Sequence, residues 1–243
     1  MMPILDIHAH YGVWQFPTQA RNVDALDTYL QRFGIEKACF SSVEALTCNF
    51  VSGNARLFKD IEGHDRFLGY CTVNPNYVDE SIAEMKKYMS KSRCFGLKVH
   101  SGYSQRPVNS APMREILNAS RRYGKPVLAH TWSPTDCAAI AEAAAEFATL
   151  KFIMGHMGGN DWRPALEAVE EILNVFLDPC CSYAERDKIR EALDAVGPKR
   201  VVFGSDLMLL NPAFVAGMVV GSDLPERDKE RILYTNAKEA FGL

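Results

Sequence analysis

Two histidines, His8 and His10, stand two residues apart at the end of a short apolar run, ILDIHAH. On an extended chain residues i and i+2 face the same side, so both imidazoles point one way. Two imidazoles placed like this can converge on one ion at Zn–N distances of about 2.0–2.1 Å. A third nitrogen and a carboxylate oxygen from elsewhere would complete a centre with an open position for water. Zinc in such a centre lowers the pKa of its water to about 7 and turns it into a usable nucleophile. A lone H-x-H equally describes strand-end histidines hydrogen-bonded to carbonyls, so the weight falls on the residues that join it.

The chain has six histidines, and five of them end β-rich runs: His8 and His10, His100 in GLKVH, His130 in VLAH and His156 in GHMGG. Only His64, in EGHDR, lies in a polar connection. Strand ends make up roughly a tenth of the chain, counted over eight strands, so scatter accounts poorly for this placement. Asp206 closes FGSD in the same way; it could cap the following helix, but Ser205 can do that equally well. Lys98, two residues before His100, has three readings: a buried ion-pair partner, a contact for a substrate carboxylate, or a carbamylated bridge between two metals. The loops after the runs carry Tyr11, Trp14, Tyr103, Arg106, Trp132, Trp162 and Arg163, including all three tryptophans. They suggest a pocket with aromatic walls, although surface and helix packing would place such residues there too. Candidate substrate contacts are therefore Lys98, His100, Tyr103, Arg106, Trp132 and Arg163, the cationic ones suited to an anion.

The elements that must position these residues are short and regular. Continuously apolar runs cover 4–10, 37–43, 67–73, 94–100, 126–130, 150–156, 175–181 and 200–206, as expected of parallel strands covered on both faces. Helical stretches lie between them. In NVDALDTYLQRFG the stripe Leu26, Leu30 and Phe33 precedes Gly34 as a stop. Ser133 or Thr135 can cap the alanine-rich run to Ala148, Asp187 to Val196 reads as a helix ended by Gly197-Pro198, and LPERDKERILYTNAKEAFGL reads as a last helix. Eight strand–helix units without a Gly-rich phosphate loop favour an α/β fold of the (β/α)8 TIM-barrel type over a doubly wound sheet. No linker or composition shift interrupts the chain, so residues 1–243 read as one domain. In such a barrel every strand-end residue named above would surround one mouth.

Bulk composition narrows the partners. A 47% hydrophobic and 23% charged chain of net charge −3 offers no electrostatic footprint for nucleic acid or an anionic membrane. No apolar run approaches the ~20 residues of a membrane span. The N-terminus has no signal-peptide pattern. Seven cysteines without C-x-x-C spacing suit neither a disulfide framework nor a zinc knuckle, which points to a cytoplasmic protein with reduced thiols. The expected partner is a small molecule; a homodimer stays open, since no stretch marks an interface.

Taken together and in this order, IHAH, GLKVH, LAH, GHMGG and FGSD, with the closing TNAKEAFGL, resemble the amidohydrolase superfamily. The likeness runs from residue 4 to 243 and is greatest to the amidohydrolase-2 branch, which includes aminocarboxymuconate-semialdehyde decarboxylase-like enzymes. The resemblance implies metal ligands His8, His10, His130 and Asp206, with Asp206 also taking a proton from attacking water. It implies that His156 polarises the substrate or water and that one Zn2+ is bound. Another divalent metal, or a second ion bridged by carbamylated Lys98 with His156 as a ligand, is the variant arrangement. TatD-type nucleases share the H-x-H but end strand four in glutamate, where this chain has KVH. The expected function is a metal-dependent hydrolase acting on an amide, lactone or related C–N or C–O bond of a small molecule. The chain is short beside the branch's decarboxylases, so decarboxylation of an aromatic or muconate-like acid is the alternative. A catalytically inactive, metal-stabilised binding protein is the third reading.

Overall fold

The computed structural model describes residues 2–18 and 22–243. Seven of the apolar runs form parallel strands in sequential order: β1 (Ile4–Tyr11), β2 (Ile35–Ser42), β3 (Phe67–Thr72), β4 (Cys94–Val99), β5 (Val127–His130), β6 (Phe152–Gly155) and β7 (Val175–Leu177). The eighth run is not a regular strand. It closes the barrel through scattered backbone bonds: Val202 N donates to Leu177 O at 2.9 Å, Ile7 N to Phe203 O at 3.0 Å, and Asp206 N to His8 O at 2.8 Å. Only isolated bridges, Leu177 to Val201 and Ala9 to Leu207, mark the ladder. At its end Gly204 packs against His8 and Asp178, and Asp206 turns to φ 55°. The fold is a (β/α)8 barrel in a single domain.

Alternation along the strands builds two layers inside the barrel. Cys39, Tyr70, Leu128, Ile153, Phe176 and Val202, with Leu5 and Ile7, form an apolar cluster, closed below by Phe241 of the last helix. Two residues further along each of these strands the side chain facing the same way is polar or small: Ser41, Thr72, His130, Gly155, Asp178 and Gly204. Period-2 alternation thus places a hydrophobic floor under a polar mouth. On β1 the register slips between Asp6 and Ala9, a bulge that adds a residue and re-aims the strand. The Ile7 carbonyl there is satisfied by the Tyr70 hydroxyl at 2.7 Å, and Ala9 faces the outer, helix-side core.

The helices follow the sequence signals closely. Asn22 caps helix Val23–Arg32, which buries Val23, Leu26 and Leu30, and Gly34 turns out of it at φ 67°. Ser133 caps Pro134–Glu146 by accepting from Asp136 N. The closing stretch is not one uniform helix: a wider π turn, Arg231–Thr235, separates Glu226–Glu230 from Asn236–Phe241. Among the described residues no helix is long and apolar enough to cross a membrane.

Candidate metal centre

At the mouth His8, His10 and Asp206 bring their ligand atoms within 4.8 Å of one another, all buried. His10 Nε2 donates to Asp206 Oδ1 at 2.9 Å, and His8 Nε2 lies 3.8 Å from the same oxygen. His8 is held from both sides. Its Nδ1 donates to Asp178 Oδ2 at 2.7 Å, while its Nε2 accepts from Lys98 Nζ at 3.0 Å. Both neighbours demand one tautomer, with the proton on Nδ1 and the Nε2 lone pair facing the mouth. His156 is fixed in the same sense, Nδ1 donating to the Cys180 carbonyl at 3.0 Å.

The backbone is shaped to present these groups. His156 and Asp206 both sit at positive φ, 68° and 55°, a conformation that costs non-glycine residues about 1–3 kcal/mol and persists only where surrounding structure enforces it. Gly204 is needed for close approach, since a Cβ there would lie 2.6 Å from His8 Cβ and 2.7 Å from Asp178 Oδ1. Beneath the centre Asp6 staples β1 to the closing run, accepting from His8 N at 3.1 Å, Ser205 N at 3.0 Å and the Ser205 hydroxyl.

Burial dominates the electrostatics. It pushes the pKa of Asp6 and Asp178 up to about 7 and that of Lys98 down to about 8. It also lowers all five mouth histidines, His100 to about 2 and His156 to about 4, with Lys98 adding its positive charge to the effect. Burial opposes the Asp206 carboxylate as well. The His10 hydrogen bond and the nearby His156, His10 and Lys98 nevertheless hold it below its ordinary value. The mouth is thus lined by neutral imidazoles beside the ionised Asp206 carboxylate, the protonation state that metal binding requires.

The remaining candidates are distributed unevenly. His130 stands outside the close ligand groups; its ring stacks on His100 at 3.9 Å and 12°, and lies 4.7 Å from His156. Trp132 runs parallel to His130 at 6.1 Å, and Tyr103 packs on His100 at 4.3 Å. Trp132 and Tyr103 are 41% and 45% exposed, so they form an open rim. Trp14 covers His10 edge-on at 5.1 Å. The structure does not bring the arginines in. Arg106 Nε is bound to Asn76, and Arg163 is paired twice to Glu191 while lying over Trp162. Trp162 is buried, and Tyr11 donates to Asp60 at 2.6 Å. His64 packs edge-on against Phe67. Sequence reasoning missed Asp178 and Cys180, although Asp178 ends a strand just as Asp206 ends its run.

The donor chemistry fits a divalent ion. Two imidazole nitrogens and a carboxylate oxygen suit zinc or manganese. The lone pair an ion would use on His8 is the one Lys98 caps with positive charge here. His10 Nδ1 is buried without a hydrogen-bond partner, which leaves that ring free to settle its proton as the ligand role requires.

A family model described as Amidohydrolase matches residues 48–243, a span that begins after the His8–His10 pair. No curated protein sequence matches the chain. Solved structures of the same fold include 5-carboxyvanillate decarboxylase from Sphingomonas paucimobilis, at TM-score 0.82 and 13% identity over 100% of both chains. Another is 2,6-dihydroxybenzoate decarboxylase from Rhizobium, at TM-score 0.81 and 15% identity over 100% of this chain and 99% of that one. A third, dihydroxybenzoic acid decarboxylase from a Polaromonas species, holds manganese and the inhibitor 2-nitroresorcinol, at TM-score 0.81 and 14% identity over 100% and 98%. Likeness at such identities concerns the fold, whereas the family match covers most of the sequence and includes the runs that end in His100, His130, His156 and Asp206: the chain belongs to the amidohydrolase family, in its amidohydrolase-2 branch.

Proposed function

We propose that residues 1–243 act as one metal-dependent barrel enzyme that removes carbon dioxide from a small, planar, conjugated carboxylic acid. The observation that carries this reading is the stacked wall beside the metal-ligand group. His100 and His130 lie parallel at 3.9 Å and 12°, and Trp132 runs parallel to His130 at 11°. Flat faces aligned in this way suit a flat substrate ring. The named activities of the three structural neighbours support the same choice over hydrolysis.

His8, His10 and Asp206 would hold the ion, zinc or manganese, with His130 the further ligand that the family resemblance assigns. When bound, a divalent ion supplies Lewis-acid charge that draws the substrate's oxygens to the floor of the mouth. Lys98, fully buried on that floor, adds positive charge where a carboxylate would lie. The wall of His100, His130 and Trp132 orients the ring, and Trp14 keeps water from the His10 side. Cleavage of the C–C bond leaves its electron pair on the ring carbon, which then takes a proton. One carrier lines the floor: Lys98, whose Nζ stands 3.0 Å from His8 Nε2. His156, with its proton fixed on Nδ1, offers an Nε2 lone pair to a substrate hydroxyl.

Hydrolysis is the second reading. The ionised Asp206 carboxylate favours it, because a base of that kind can deprotonate an attacking water. The test is to incubate protein loaded with manganese or zinc with hydroxylated benzoic acids and, separately, with amides and lactones. Carbon dioxide release from the acids supports the proposal. Turnover confined to amides or lactones replaces it with hydrolysis.

A further inference from the structure

The side of His8 turned away from the mouth carries an arrangement that the reading above does not use. Cys180 Sγ lies 3.5 Å from His8 Nδ1 and 3.4 Å from His156 Nδ1, and all three residues are buried. Asp178 Oδ2 is 3.0 Å from the same sulfur. A buried thiol ordinarily packs as a small hydrophobe, yet this one is surrounded by two imidazoles and a carboxyl group.

We propose that Cys180, His156 and His8 form a second cation site, for a thiophilic ion such as Zn2+ or Cd2+, that excludes the ion at the mouth. Zn–S bonds of about 2.3 Å and Zn–N bonds of about 2.0–2.1 Å at a tetrahedral angle separate sulfur from nitrogen by roughly 3.5 Å. Both sulfur–nitrogen separations already stand at that value. The Asp178 carboxyl beside them supplies a fourth, oxygen donor. A sulfur-containing set selects a softer ion than the two nitrogens and one oxygen of the mouth.

The proton balance explains the exclusion. An ion on Nδ1 displaces the proton that His8 now gives to Asp178 and the one that His156 gives to the Cys180 carbonyl. Each imidazole stays neutral by carrying its proton on Nε2 instead, and Lys98 Nζ, 3.0 Å from His8 Nε2, gives up a proton and accepts from it. The Cys180 thiol and the Lys98 ammonium each lose a proton to solvent, so one divalent cation binds and two protons leave, with no change of oxidation state. With a proton on Nε2, His8 has no lone pair left for the mouth ion. One histidine thus serves two ions of different softness, one at a time, whichever bond the enzyme cleaves.

The test uses a Cys48→Ser background, which removes the exposed thiol, with the protein loaded with Mn2+. Cd2+ is titrated in while the ultraviolet thiolate-to-cadmium charge-transfer band and the free Mn2+ resonance are followed. We expect a band saturating at one Cd2+ per chain, with Mn2+ released in parallel. Cys180→Ser should lose the band and retain Mn2+, and Cys181→Ser should behave as the parent. No band in the parent overturns the site, as does a band that persists in Cys180→Ser. A band that forms with Mn2+ retained overturns the sharing of His8. Should Cys180→Ser fail to fold, X-ray absorption at the cadmium edge of the parent decides: sulfur with nitrogen neighbours supports the site, and a sulfur-free shell overturns it.

Discussion

Asp178→Asn tests the central geometric claim, that a side chain 170 residues away sets which nitrogen of His8 faces the ion. The substitution keeps the volume and removes the carboxylate. Its amide can turn an NH2 group toward Nδ1, favouring the tautomer protonated on Nε2, which cannot ligate from that atom. A hydrogen bond to a charged partner is worth about 1.5–3 kcal/mol, and loss of such an orienting partner weakens metal binding about 10–100-fold. The two figures agree, since tenfold is about 1.4 kcal/mol. Titration calorimetry of Mn2+ into chelator-stripped protein should therefore show 10–100-fold weaker binding in the variant. The metal-free melting temperature separates this from damage to the fold. Burial already pushes the Asp178 pKa up to about 7, so a neutral amide removes a buried-charge cost and should not lower it. An affinity within threefold of the parent, with the fold intact, would refute the orienting role.

Three further outcomes follow from the same geometry. Protein purified without chelator should carry about one divalent ion per chain by elemental analysis, and His8→Ala with His10→Ala should remove it; full occupancy in that double variant would rule out the assigned ligands. Gly204→Ala forces a methyl to within 2.6 Å of His8 Cβ; we expect a loss of about 1–3 kcal/mol in chemical denaturation with weaker metal binding, and an unperturbed variant would contradict the packing described. In metal-free protein the five lowered histidines contribute stability present above their ordinary value of 6.5 and lost as pH falls toward their folded values, about 4 for His156. Asp6 and Asp178, raised to about 7, act oppositely, losing their contribution as pH rises from about 4 through about 7. Five groups outweigh two, and His156 alone is worth on the order of 3 kcal/mol by pH 4, so the melting temperature should drop between pH 7 and 4.5. A flat or rising curve would refute the balance.

The sequence alone determined seven of the strands and the end of the barrel at which five histidines and Asp206 gather. Those properties are periodic: an apolar floor residue such as Leu128 or Phe176 places His130 or Asp178 one pleat above it, on the same face, whereas on β1 Ile7 faces the floor and His8 turns inward only because the bulge between Asp6 and Ala9 re-aims the strand. Helix limits such as Ser133 and Gly34 were equally legible, because capping and left-handed turns are local to neighbours in the chain. Tertiary structure decided which atoms meet. Periodicity gave no sign that Asp178 would orient His8 or that the Cys180 carbonyl would hold His156. Nor did it show that His130 would stack on His100, or that Arg106 and Arg163 would pair elsewhere. A side chain's place on a strand follows from two-residue alternation, whereas its partner depends on how far each strand slides and where a bulge or a positive φ re-aims it. Distances of 2.7 to 3.5 Å between residues far apart in the chain exist only once the barrel has closed.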